Sequence, residues 1–310
     1  MYEDNLIYKV TWFYYADNMT QKEIAEHLGI SRMKVVKLLN QAKSDGIIKF
    51  KMNPDAKAHI NLERDLIEKF HLEDVFVVPS TPSNVNHNIA KGAAQYIEEK
   101  VEANTFINIG YGNTVSRTIN HLIYSLEKPI SLVTLSGGVS YYTSSIVSGT
   151  RKRTATSITP NIHILPAPLL ASSEEVANIF LNEKSIKNII NMSELSSMSI
   201  VGIGSVSNDA TIFKYHIVNE EDRILLEMQG AVGDILSQFY DKNGNILQSD
   251  LHKKLVSIKL DTLKASHKTI GVAGGKEKIQ AIYSALIGGY LNVLITDEDT
   301  ANSLINFKNE

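Results

Sequence analysis

The sequence predicts an α/β protein in two parts: a small N-terminal winged helix-turn-helix, then a doubly wound domain on a largely parallel sheet. Three observations predict it. Residues 20–48, TQKEIAEHLGISRMKVVKLLNQAKSDGII, carry two capped helical patterns either side of a glycine. From Val75 onward, short strands rich in branched apolar residues alternate with helical stretches, the signature of parallel strand–helix units. Asn53-Pro54-Asp55 is a turn signal between the two patterns, so the expected domains are 1–54 and 55–310. A length of 310 residues suits two domains.

Residues 4–17 read as a first helix with Leu6, Ile7, Val10, Phe13 and Tyr14 on one broad face. The aromatic run Trp12-Phe13-Tyr14-Tyr15 is expected to pack beneath the next helices, with base stacking as the other reading. Thr20 and Glu23 have the spacing of a capping box. Gly29 supplies the turn, and the small Ala25 lets two helices cross closely. Ser31 caps a second helix whose Val35, Leu38 and Leu39 point back at the first. Its other face offers Ser31, Arg32, Met33, Lys34 and Lys37, long enough to enter a major groove.

Charge supports this reading. The whole chain is −3, yet residues 20–52 hold seven Lys/Arg against three Asp/Glu. A local positive patch on an acidic protein is what phosphate contact requires. Candidate DNA contacts are Thr20, Gln21, Ser31, Arg32, Met33, Lys34 and Lys37. Gly46 ends the helix, and Ile47 to Lys51 alternates as a short basic wing beside the DNA backbone. Residues 60–70 read as a linking amphipathic helix that could also pair subunits.

In the larger part, strands are expected over 75–78, 106–109, 132–135, 162–165, 200–203, 269–272 and 293–295. Helices are expected over 88–101, 114–126, 174–182, 276–287 and 299–306. Several strands end in glycine: Gly110-Tyr111-Gly112-Asn113-Thr114, Ser136-Gly137-Gly138, Gly204-Ser205 and Ala273-Gly274-Gly275. Ligands of open parallel sheets bind beyond the carboxyl ends of the strands, where glycine lets backbone amides approach an anion. Such loops favour a phosphate-sized or polyol ligand. Lys278 follows the last loop and reads either as an anion's partner or as a solvated helix lysine. Asp234, in Gly230–Leu236, reads either as a hydroxyl acceptor or as a turn-fixing carboxylate. Asn243-Gly244 reads as a hairpin turn.

Much is excluded. Without cysteine there is no disulfide or thiolate chemistry. The nine histidines lack metal-ligand spacing, and no motif of a nucleotide hydrolase or serine-elbow hydrolase is present. No metal or cofactor is expected. The acidic start MYEDN and the lack of an apolar run near ~18 residues point to a cytoplasmic protein without a membrane partner.

With these segments in place, the chain resembles the SorC/DeoR-type sugar-binding transcriptional regulators along nearly its whole length. The resemblance rests on Trp12–Tyr15, Leu132–Val139, Pro166–Leu169, Val201–Gly204, Gly230–Leu236, Gly271–Gly275 and Asn292–Thr300. Leu165–Leu169 with Ala171-Ser172-Ser173 is nearest to the members that govern autoinducer-2 uptake. The resemblance implies an effector domain of the phosphosugar-isomerase type, kept for binding rather than catalysis. It implies a homo-oligomer, dimer or tetramer, that changes its hold on operator DNA when a phosphorylated sugar binds. Phosphorylated autoinducer-2 leads, and a pentose or polyol phosphate is the rival. Carried over by position, ligand contacts fall on Tyr111, Gly112, Asn113, Thr114, Ser136, Gly137, Gly138, Asp234, Leu236 and Lys278. Asn113-Thr114 departs from the acidic-plus-alanine pair of the autoinducer-2 members. A sugar-phosphate isomerase, with Asp234 moving a proton, is the enzymatic alternative.

Overall fold

Capping and burial build the N-terminal unit. The computed structural model describes residues 2–48, 57–81, 84–150, 158–264 and 268–309. They fall into two units, the first within residues 1–53 and the second drawn from 54–310. In the first, α1 (Tyr2–Tyr15), α2 (Gln21–Leu28) and α3 (Arg32–Ser44) enclose a core of Ile7, Val10, Ile24, Ala25, Val35, Leu38, Leu39 and Ala42. The Thr20 hydroxyl accepts the Glu23 amide at 3.3 Å while the Glu23 carboxylate accepts the Thr20 amide at 2.7 Å, a complete capping box. Gly29 turns the chain at φ +63°, and Ser31 accepts the Lys34 amide at 3.2 Å to start α3.

Two expectations change here. Phe13, Tyr14 and Tyr15 pack against the core, but Trp12 is 65% exposed. Ile47 and Ile48 form bends against the core rather than a strand. Lys49–Lys51, and the turn at 53–55, lie outside the described residues.

The second unit opens with α4 (Lys57–Phe70). It is not a free linker: Leu66, Ile67 and Phe70 enter the unit's core, and the Lys69 ammonium donates to the Leu304 and Ile305 carbonyls. These three side chains are therefore occupied within its own unit. Then come β1 (Asp74–Val78), α5 (Val85–Lys100), β2 (Thr105–Ile109), α6 (Asn113–Ser125), β3 (Ile130–Thr134), α7 (Val139–Thr150) and β4 (Asn161–His163). Next are α8 (Glu174–Asn182), α9 (Lys184–Glu194), β5 (Met198–Gly202), β6 (Gly204–Ser205), α10 (Thr211–Lys214) and α11 (Glu220–Met228). The chain continues with β7 (Gly233–Ile235), β8 (Gln238–Tyr240), α12 (Asp250–Lys253), α13 (Leu260–Lys264) and β9 (Thr269–Val272). It closes with α14 (Ile279–Ile287), β10 (Val293–Asp297) and α15 (Glu298–Asn306).

Seven strands pair in parallel in the order β1-β10-β9-β5-β2-β3-β4. The chain leaves β2 toward β3 and β4 on one side, and leaves β5 toward β9 and β10 on the other. The switch point of this doubly wound sheet therefore lies between β2 and β5, where open α/β sheets hold their ligands. A small antiparallel sheet, β6-β7-β8, stands beside it. Its β7–β8 hairpin closes through Leu236 and Ser237, both at positive φ (+53° and +63°). A two-residue turn with both centres left-handed normally takes Asn or Gly, so this hairpin carries strain. Asn243-Gly244 does form a turn: Asp241 donates its amide to the Asn245 carbonyl, with Gly244 at φ +79°.

Candidate functional site

The α3 surface expected to meet DNA is open. Ser31, Arg32, Met33, Lys34 and Lys37 are all exposed, Met33 by 83%. Thr20 and Gln21 border a groove together with Tyr14, Tyr15, Lys22 and Arg32, so the helix N-terminus of α2 and two cations share one concavity. Backbone amides at such a terminus, beside Lys and Arg, suit a phosphate oxygen.

In the second unit a cavity of ≈190 Å³ lies at the switch point between β2 and β5. One wall is the start of α6: Tyr111, Gly112, Asn113 and Thr114. Gly112 is the N-cap at φ +139° with no side-chain cap, so the first-turn amides of a 13-residue helix are left to whatever enters the cavity. The second wall is the chain leaving β5: Gly204, Ser205, Ser207, Asp209 and Thr211. The hairpin supplies Asp234 and Ser237, and the segment before α14 supplies Glu277 and Lys278.

Asp234 is held firmly. It pairs with Gly204 across the antiparallel sheet, and a side chain at Gly204 would collide with its carboxylate. The Ser237 amide donates to its Oδ2 at 3.0 Å, which is what the strained turn delivers. Burial pushes the Asp234 carboxyl up to about 6, partly opposed by the Ser237 N–H and by the Lys278 charge. Burial likewise lowers Lys278, with the charges of Glu277 and Asp234 pulling the other way. Lys278 thus stands on the pocket wall beside two carboxylates.

Other predicted residues lie elsewhere. Leu236 is 2% exposed and belongs to the hydrophobic core, against Gly110. Ser136 is fully buried, its hydroxyl 3.0 Å from that of Tyr142. Gly137 and Gly138 do not offer amides to an anion: they donate to the Val256 and Ala167 carbonyls at 2.8 and 2.9 Å. The physical need for Gly137 is close approach, since a Cβ there would fall on the Pro168 carbonyl. Gly138 instead borders a larger groove of ≈1060 Å³ with Tyr141, Pro166, Pro168 and Tyr215. Tyr111 and Asn113 face both cavities, and Tyr111 lies 4.0 Å from Tyr141 between ring centroids. The Gly275 amide is also occupied, by the Thr300 hydroxyl at 2.9 Å.

Sequence reasoning missed Asn86, which α5 brings to the wall and whose Oδ1 accepts from Thr114 Oγ1 at 3.4 Å. It also missed Ser207, Asp209, Thr211, Ser237 and Glu277. The polar run Ser205–Thr211 directly after Gly204 is the signal that could have found three of them. Among the described residues no group of three or more His, Asp or Glu could hold a metal.

An exposed basic helix in one unit and a hydroxyl-, amide- and carboxylate-lined pocket at a switch point in the other define a ligand-responsive transcription regulator. The Sugar-bind family, a sugar-binding domain, matches residues 55–306. Transcriptional regulator LsrR of Enterobacter sp. (strain 638) is 36% identical over 98% of this chain and 93% of its own length. LsrR of Escherichia coli (strain K12) is 34% identical over 98% and 96%. The full-length sorbitol operon regulator SorC of Klebsiella pneumoniae superposes with a TM-score of 0.73 at 28% identity, covering 97% of this chain and 98% of that one. The chain belongs to the SorC-type family of sugar-binding transcriptional regulators.

Proposed function

We propose that this chain is an operator-binding repressor whose hold on DNA is set by a small phosphorylated sugar in the switch-point pocket. The observation that carries the reading is the uncapped start of α6 facing a polar cavity that also holds Asp234 and Lys278. In this reading the phosphate sits at the α6 amides around Gly112–Thr114, and Asp234, Ser205 and Ser237 take the hydroxyls. Lys278 offsets part of the negative charge that Asp209, Asp234 and Glu277 bring to the pocket, which eases the approach of an anion. Residues 1–54 are the DNA-binding domain and 55–310 the effector domain. The working form is a cytoplasmic homo-oligomer, dimer or tetramer, because paired heads read paired half-sites.

Phosphorylated autoinducer-2 stands first as the effector, through the resemblance at Leu165–Leu169 and Ala171–Ser173. The second reading, a pentose or polyol phosphate, is favoured by Asn113-Thr114, where the autoinducer-2 members carry an acidic residue and alanine. Binding without turnover fits the family. Calorimetry with each phosphorylated candidate beside its dephosphorylated form tests the site. The phosphorylated form should bind much more tightly, and Lys278→Ala should narrow the gap. Equal affinity for both forms excludes a phosphate-reading pocket.

A further inference from the structure

The start of α6 has a support that does not itself line the effector pocket. Asn113 opens the helix and borders the cavity, and Arg117 follows one turn later on the same face. Long side chains on a helix lean back toward its N-terminus. Arg117 does so, and its Nε donates to Asn113 Oδ1 at 3.2 Å. A guanidinium carries donors only, so the end of the asparagine that meets it must be the carbonyl oxygen. The carboxamide nitrogen is therefore the end left for the cavity. Asn86, on the same wall, uses its Oδ1 on Thr114 Oγ1 at 3.4 Å. Among the described residues neither carboxamide nitrogen has an acceptor, and no carboxylate pairs with Arg117. The α6 end of the pocket thus offers donors, the uncapped first-turn amides and two carboxamide nitrogens, with an uncompensated cation behind them. Lys278, by contrast, shares its charge with Glu277 and Asp234.

We propose that Arg117 is a positioning residue of the effector pocket: by holding the Asn113 oxygen it aims the carboxamide nitrogen at the bound phosphate, and so sets the preference for a phosphorylated over a neutral sugar. The inference rests on the reading that a phosphate occupies the start of α6. A carboxamide free to rotate offers its oxygen as readily as its nitrogen, and the oxygen repels a phosphate. Fixing the nitrogen inward removes that choice before the effector arrives, which lowers the ordering cost of binding. The donor so aimed meets a charged oxygen, where a hydrogen bond is stronger than between neutral groups. A neutral sugar has no such oxygen at this end and gains nothing comparable from the arrangement.

Calorimetry on the full chain tests this with ribose 5-phosphate against ribose and phosphorylated autoinducer-2 against autoinducer-2. The proteins are wild type, Arg117→Met, Arg117→Lys, Asn113→Ala and the double variant of Arg117→Met with Asn113→Ala. The quantity read is the ratio of phosphorylated to neutral affinity. Arg117→Met should cut that ratio about tenfold through the phosphorylated form alone, because an aimed hydrogen bond to a charged oxygen is lost. Arg117→Lys keeps a donor and the charge, and should restore most of the ratio. Adding Arg117→Met to Asn113→Ala should change it by less than about twofold, since the arginine acts through the asparagine. A merely structural role would weaken both forms alike and leave the ratio where it was. An unchanged ratio in Arg117→Met, or losses that add in the double variant, overturns the assignment while the pocket reading stands. A wild type that binds neither phosphate better than its neutral form removes the pocket reading, and this inference with it.

Discussion

In the proposed effector pocket Asp234 is the residue to probe first, because burial pushes its carboxyl up to about 6. A carboxyl raised above its ordinary value keeps its proton longer in the folded than in the unfolded chain. Its contribution therefore favours folding at low pH and is lost as pH rises from about 4 to about 6. At pH 7, Asp234→Asn should raise unfolding stability by up to about 2 kcal/mol, read by denaturant titration. The same change should weaken effector binding by about tenfold or more, because a charged acceptor is lost. Such a split between stability and affinity marks a binding residue rather than a structural one. On the DNA side, Arg32→Ala or Lys34→Ala should cost ~1–3 kcal/mol of operator affinity and relax preference at one base pair. Lys37→Ala should weaken all sequences alike and flatten the salt dependence. Unchanged operator binding in both Arg32→Ala and Lys34→Ala would show that α3 is not the reading helix.

At the scale of elements, the β6-β7-β8 sheet presents the pocket's carboxylate and carries its strain. Ser237→Gly should be tolerated or stabilise by up to about 1 kcal/mol, whereas Ser237→Val should cost ~2 kcal/mol or more, since a branched side chain resists φ +63°. Comparing the two melting curves checks the turn geometry. Beneath the sheet, His252 Nε2 accepts the Phe239 amide at 2.8 Å, so the imidazole must be neutral, and burial lowers its pKa. Its contribution is full above about 6.5 and is lost as pH falls below that value, opposite in sign to Asp234. Asp234→Asn should therefore melt earlier relative to its own pH 7 value when taken to pH 5, with the wild type changing less. The helix-turn-helix could be read because Thr20, Glu23, Gly29 and Ser31 act on neighbours within a few residues. The strands could be read because both faces of a parallel sheet are buried, leaving continuous branched apolar runs. Helix α7 was missed because VSYYTSSIVSGT has no helical stripe and is rich in Ser, Thr and β-branched residues. The Leu236-Ser237 turn was missed because it breaks turn chemistry, and Asn86 because only tertiary packing brings α5 to the pocket. Gly137 was misread because its glycine serves a close approach to Pro168, not an anion.

Across the whole molecule, thermodynamic linkage couples the two proposed activities: an effector that favours the weakly DNA-binding state must lower operator affinity, and operator DNA must lower effector affinity equally. On α4, Leu66, Ile67 and Phe70 pack into or against the core of their own unit and so are not offered for pairing subunits. The proposed subunit pairing then calls on other surfaces, and Asp or Lys substitutions at Trp12, exposed on α1, test one of them by light scattering. A drop in oligomer mass in Trp12→Lys would assign that surface, and an unchanged mass would remove it. The most direct test of the central claim is operator affinity, measured by fluorescence anisotropy on the full chain. It compares no ligand, phosphorylated autoinducer-2 or a pentose phosphate, and the dephosphorylated counterpart of each. The expected result is that one phosphorylated ligand changes operator affinity by about 5–150-fold, that its neutral form does not, and that Asp234→Asn moves the response to a ligand concentration about tenfold or more higher. Operator affinity that stays constant while calorimetry shows the phosphorylated ligand bound would contradict it.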